Sequence, residues 1–158
     1  MNRTTVQALL VGLLIAIWAW IAAVARLHVS VWPGVVALGC YFAAGGGVSG
    51  LRRTVLAAVS GVVWVLIYHA VRVAIGGGDI VAALLLGAVA FLIVLQARLP
   101  LLSFTAGAFA GAGVSLGFGV DTVNEAIRVA VALAAGAVVG FAAERLADAI
   151  GARRGRRA

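Results

Sequence analysis

The chain has 158 residues, 65% of them hydrophobic and only 11% charged, with a formal net charge of +7. A soluble domain of this size needs far more polar surface, whereas runs of about 20 apolar residues match a hydrocarbon layer roughly 30 Å thick. This composition excludes a soluble enzyme and specifies an integral membrane protein.

Six apolar runs follow in chain order: Val6–Ala25, Val31–Gly47, Thr54–Ile75, Ile80–Ala97, Leu101–Phe118 and Thr122–Ala142. They make residues 1–150 one transmembrane domain and leave 151–158 as a basic tail. Each run is apolar throughout, unlike barrel strands, which alternate with period two over about 10 residues. The expected class is therefore all-α, with six transmembrane helices.

In the first run, Thr4 with Gln7 fits a capping box, and Trp18 and Trp20 suit an interfacial belt. Arg3, the apolar run and "AVA" at Ala23–Ala25 have the outline of a signal peptide. The run is long for one and is read as a retained span. The second run holds Pro33, the glycine group Gly45–Gly47 and the chain's single cysteine. One cysteine excludes an intramolecular disulfide, and Cys40 reads as a small packed residue. The third run ends on Tyr68, His69 and Arg72, which an aromatic belt and a snorkelling arginine explain. "GGGD" at Gly76–Asp79 reads as a loop closing on an N-cap aspartate. Pro100 immediately precedes the fifth run, and Thr122 with Glu125 fits a capping box at the start of the sixth.

Arginine sets the orientation, because the chain has no lysine. With both termini cytoplasmic, nine arginines (Arg3, Arg52, Arg53, Arg98, Arg145, Arg153, Arg154, Arg156, Arg157) face inward, and only Arg26, Arg72 and Arg128 face outward. That satisfies the positive-inside rule. The tail "ARRGRRA" is assigned to anionic headgroups rather than nucleic acid.

Pro33 and Pro100 are the only prolines and lie 67 residues apart (100 − 33). At that spacing Phe42 meets Phe109 and Gly46 meets Gly113, and after a one-residue gap Thr54-Val55 meets Thr122-Val123. The expectation is two three-helix repeats, about 5–75 and 79–145, inverted because three is odd. Matched Pro/Gly-interrupted segments in two inverted halves point to a solute site. The pairs Gly46–Gly50, Gly107–Gly111, Gly113–Gly117 and Gly136–Gly140 also fit close helix packing alone. Gly111 and Gly113 are both expected where backbone meets another helix or a solute.

No catalytic constellation or metal cluster is legible. His28 and His69 have no carboxylate at helical spacing to orient them. No charge falls near the middle of a run, which argues against an ionic substrate. The candidate substrate-binding or pore-lining residues are Tyr41, Phe42, Gly46, Ser103, Thr105, Phe109, Gly113 and Ser115. No cofactor is expected. The partners are the bilayer and a small neutral solute, and a homo-oligomer is compatible with the glycine pairs.

"WPGVVALGCYFAAGG", a basic turn with "SGVVW", and "LPLLSFTAGAFAGAG" resemble the YcdZ/YahC-like family of small bacterial inner-membrane proteins, domain of unknown function 1097. The resemblance covers the first five runs and weakens in the sixth. It implies a multi-pass inner-membrane protein and no particular substrate. "YFAAGGG" here is richer in glycine than that family's pattern. Leu99, Pro100 and Leu102 are also similar to the Leu-Pro motif of urea transporters. Ser103 stands for its threonine, and Thr105 and Ala106 replace its Pro-Phe. The expected function is a channel or carrier for a small neutral solute, and the alternative is a structural or accessory membrane protein.

Overall fold

A computed structural model describes residues 3–24 and 31–155. Ala25, Arg26 and His28 and the tail arginines Arg156 and Arg157 lie outside the described residues. The described elements are the helices α1 (Arg3–Val24), α2 (Val31–Ala43), α3 (Gly47–Ile75), α4 (Asp79–Leu95), α5 (Thr105–Phe118) and α6 (Val123–Gly155), with 3₁₀ turns at Gln96–Arg98 and Pro100–Leu102. Four stretches are long and apolar enough to cross a membrane: Thr4–Val24, Gly47–Ile75, Asp79–Arg98 and Val123–Ala152. The other two helices, α2 and α5, have 13 and 14 residues. At 1.5 Å per residue each is about 20 Å long, short of a hydrocarbon layer.

Several boundaries differ from expectation, and three of them bear on the reading. The third helix starts at Gly47, seven residues before Thr54, because Arg52 and Arg53 are good helix formers and nothing interrupts them. The sixth runs through Ala142 to Gly155, so residues 151–155 of the expected tail are helical. Asp79 is the first residue of α4, and Gly78 holds the cap position with no side-chain bond. At α6 the expected cap is present: the Glu125 amide donates to Thr122 Oγ1 at 3.4 Å.

α5 packs chiefly on α3, and α2 on α6, while α3 and α6 meet between them; α4 and α1 flank α3 and α6 respectively. Glycine makes both crossings possible. A Cβ on Gly61 would fall on the carbonyl oxygen of Ala108, one on Gly111 on that of Ala58, and one on Gly136 on that of Gly34. Backbone lies on backbone, so no side chain can rotate away. Gly113 makes no helix contact of this kind, which corrects that part of its expectation: a Cβ there meets nothing within 4 Å. Gly111 and Gly113 are two residues apart, roughly 200° around a helix, and cannot both face α3.

The second-half helices begin 76, 74 and 76 residues after those of the first half (79 − 3, 105 − 31, 123 − 47). At spacings of 74 (105 − 31) and 75 (127 − 52) the order of buried, half-buried and exposed residues is the same over 31–39 and 105–113, and over 52–66 and 127–141. Gly61 and Gly136 are 75 apart (136 − 61), and the residues they press on, Gly34 and Ala108, are 74 apart (108 − 34). "VQALLVG" at 6–12 corresponds to "VAALLLG" at 81–87. The spacing of 67 taken from the prolines is not the register of the helices. Pro33 is buried in the first turn of α2, whereas Pro100 is exposed in the turn before α5. Proline suits both a first helical turn and a loop, so its rarity does not fix equivalence.

Candidate functional site

The most developed polar group lies where α2 turns into α3. Gly45, Gly46 and Gly47 have φ of 93°, 69° and 64°, conformations that side chains with a Cβ rarely adopt. They end α2 and turn the chain sharply into α3. The cap residue of α3 is Gly46, which has no side chain to satisfy the first N–H groups. Glu144, 97 residues on in α6, takes that role: its Oε2 accepts the Gly47 N–H at 2.8 Å. The same N–H also donates to the Tyr41 hydroxyl at 2.8 Å, and that hydroxyl donates to Glu144 Oε2. Tyr41 is fully buried.

Glu144 Oε2 accepts from both donors at the start of α3, where the helix dipole favours negative charge. Close approach needs Gly46, where a Cβ would lie 2.8 Å from Glu144 Oε2. Aromatic edges complete the group: Phe42 and Phe141 meet the Tyr41 ring at 5.2 and 6.4 Å, and the Arg145 guanidinium lies 5.0 Å over Phe141.

The corresponding turn between α5 and α6 is built differently. Gly119 is left-handed (φ 65°) and its N–H returns to the Leu116 and Ser115 carbonyls. Glu125 Oε2 accepts the Asp121 N–H at 3.2 Å, so α6 is capped by its own residues. Beside this turn lies an open cleft of about 820 Å³, lined by Leu66, His69, Ala70, Val73, Gly119 and Thr122 among others.

A third group fastens the end of α4. Trp64 Nε1 donates to Gln96 Oε1 at 2.8 Å, Gln96 Nε2 donates to Ser60 Oγ at 3.0 Å, and Ser60 Oγ donates to the Ala57 carbonyl at 2.7 Å.

The structure divides the eight candidate residues. Tyr41, Phe42 and Gly46 gather at the Glu144 carboxylate. Phe109 and Gly113 instead line a shallow apolar recess of about 220 Å³ with Val65, Leu86 and Ile93. Ser103 donates to the Pro100 carbonyl at 3.0 Å, and Thr105 to the Ser103 carbonyl at 3.5 Å, both local to the turn before α5. Ser115 is buried and donates to the Gly111 carbonyl at 2.8 Å, inside its own helix. Sequence reasoning missed Glu144. It continues the Gly136–Gly140 row at i+4, which was the available signal. Among the described residues no three His, Cys, Asp or Glu side chains gather as a metal site.

Comparison with known proteins agrees with the apolar helices. A family model described as protein of unknown function (DUF1097) matches residues 8–148. The chain is 35% identical over 113 residues to the inner membrane protein YcdZ of Escherichia coli strain K12, covering 71% of this chain and 68% of that one. It is 37% identical over 113 residues to the inner membrane protein YcdZ of Salmonella typhimurium strain LT2, covering 71% and 69%. No solved structure matches.

Proposed function

The chain belongs to the DUF1097 family of inner-membrane proteins, and from that premise we propose that it carries a small neutral solute across the membrane between two inverted three-helix halves. The observation that carries this reading is the recurrence of burial over fifteen positions in α3 and α6 and nine in α2 and α5. In this reading both termini are cytoplasmic, as the arginine distribution requires, and an odd number of helices per half inverts the second. The short helices α2 and α5 then end within the depth of the membrane, where free backbone groups are tolerated only in protein or beside a wet cavity. Paired short helices of this kind mark solute sites in inverted-repeat carriers. The middles of the helices carry no charge, which favours a neutral solute.

One observation favours a second reading, that of a structural or accessory protein. Both glycine crossings are closed backbone on backbone, a geometry that serves packing without any solute. Solute-induced swelling of liposomes holding the purified protein separates the two. Swelling is expected for at least one small neutral compound and for no ion. Liposomes indistinguishable from empty ones across polyols, amides and ions would leave the accessory reading.

A further inference from the structure

The turn from α2 to α3 and the turn from α5 to α6 stand at matching places in the burial pattern, but they are not equally filled. Gly45 and Gly119, 74 apart (119 − 45), are both left-handed. Tyr41 and Ser115, also 74 apart (115 − 41), are both fully buried. Glu144 and His69, 75 apart (144 − 69), are both half-buried. The difference is side-chain reach. Tyr41 meets the Glu144 carboxylate, whereas Ser115 turns back to its own helix. Gly47 needs Glu144 as a cap, whereas Thr122 caps α6 locally and asks nothing of His69. One turn is therefore sealed by the end of α6, and its counterpart stands open beside the end of α3.

We infer that the His69 cleft is the solute-binding vestibule, and that the Tyr41–Glu144–Gly47 contact is the same vestibule in its closed form at the other end. This rests on the transport reading and adds where the solute enters and what holds the exit shut. The imidazole of His69, the carboxylate of Asp121 and the hydroxyl of Thr122 stand beside the apolar Leu66, Ala70 and Val73. Such a wall suits a small neutral solute with hydrogen-bonding groups on one side. The two ends exchange about the crossings, where Gly61 meets the Ala108 backbone and Gly136 that of Gly34 with no side chain between them, so that one helix pair can rock on the other.

The test uses full-length protein in oriented membrane vesicles, in a Cys40→Ala background. Ile67→Cys reports the open cleft, and Ala142→Cys reports its counterpart 75 residues on (142 − 67). A membrane-impermeant maleimide should label Ile67→Cys from its own face and label Ala142→Cys poorly from the opposite face. Equal labelling of the two would already overturn the inference. Adding Tyr41→Phe should speed labelling of Ala142→Cys about fivefold, the factor equivalent to one typical hydrogen bond. Glu144→Gln serves as an independent, nearly isosteric variant. In the double-cysteine protein, a bulky maleimide first placed on Ile67→Cys should wedge the cleft open and abolish that gain. A gain that survives the wedge, or no gain at all, would make the contact a local fastening and overturn the exchange. Wedge protection without solute flux would retain the exchange and remove the transport reading, whereas flux without protection would do the reverse.

Discussion

Where α3 crosses α5, Gly61 presses on the Ala108 carbonyl, and where α2 crosses α6, Gly136 presses on that of Gly34. Beyond these crossings the halves diverge. α3 is capped by a carboxylate from the far half of the chain, because Gly45 and Gly46 precede it, Gly47 opens it, and none offers a side chain. α6 is capped by Thr122 and Glu125 from its own first turn. The comparison separates two kinds of requirement. Helix crossing demands glycine on a shared face in both halves, while the ends are free to differ, and they differ in the polar groups that can hold a turn closed.

The largest effects should come from the crossings. Gly61→Ala and Gly136→Ala each force a methyl group into a carbonyl oxygen and should each cost about 1–3 kcal/mol, read by denaturant or thermal unfolding in detergent. Similar losses support equivalence, and a neutral change at either position would break it. Gly39→Ala and Gly113→Ala, whose Cβ positions are open, should be neutral or raise stability by up to about 1 kcal/mol through helix propensity.

Changes at the sealed turn come next. Tyr41→Phe removes the hydroxyl that links Gly47 to Glu144 and should cost about 0.5–1.5 kcal/mol. Its counterpart Ser115→Ala should cost less, since that hydroxyl only returns to its own helix. An equal loss at both would mean that the sealed turn contributes no more than the open one.

The smallest expected effect is at the α6 cap. Thr122→Ala loses one long bond and should cost about 0.5 kcal/mol, the low end for an N-cap. A loss several times larger would show Thr122 holding more than its own helix.

Class was legible from composition, because a bilayer demands long apolar runs, and the Thr122–Glu125 cap was legible because its signal is local. The register was not legible from the prolines. A residue that serves equally well in a first turn and in a loop marks no single position. The matching stretches Val6–Gly12 and Val81–Gly87 have the 75-residue spacing of the burial pattern but consist of common residues. At the site, Tyr41 and Gly46 were within reach of sequence reasoning, since a tyrosine beside three glycines is unusual in an apolar run. Glu144 was not, because the sixth apolar run, drawn to Ala142, stops short of it. Only the i+4 continuation from Gly140 returns it to the packed face. The helix contact expected of Gly113 failed for a related reason: composition shows how many glycines a helix has, but not which side each one faces.

The claim most open to direct attack is that one half is the other turned over in the membrane. Arg53 and Arg128 occupy equivalent exposed positions 75 residues apart (128 − 53). In a Cys40→Ala background, Arg53→Cys and Arg128→Cys can each be challenged with an impermeant maleimide in right-side-out and inverted vesicles. The expected result is labelling from opposite faces, with Arg53→Cys reactive from the cytoplasmic side and Arg128→Cys from the other. Labelling of both from the same face would contradict the inversion.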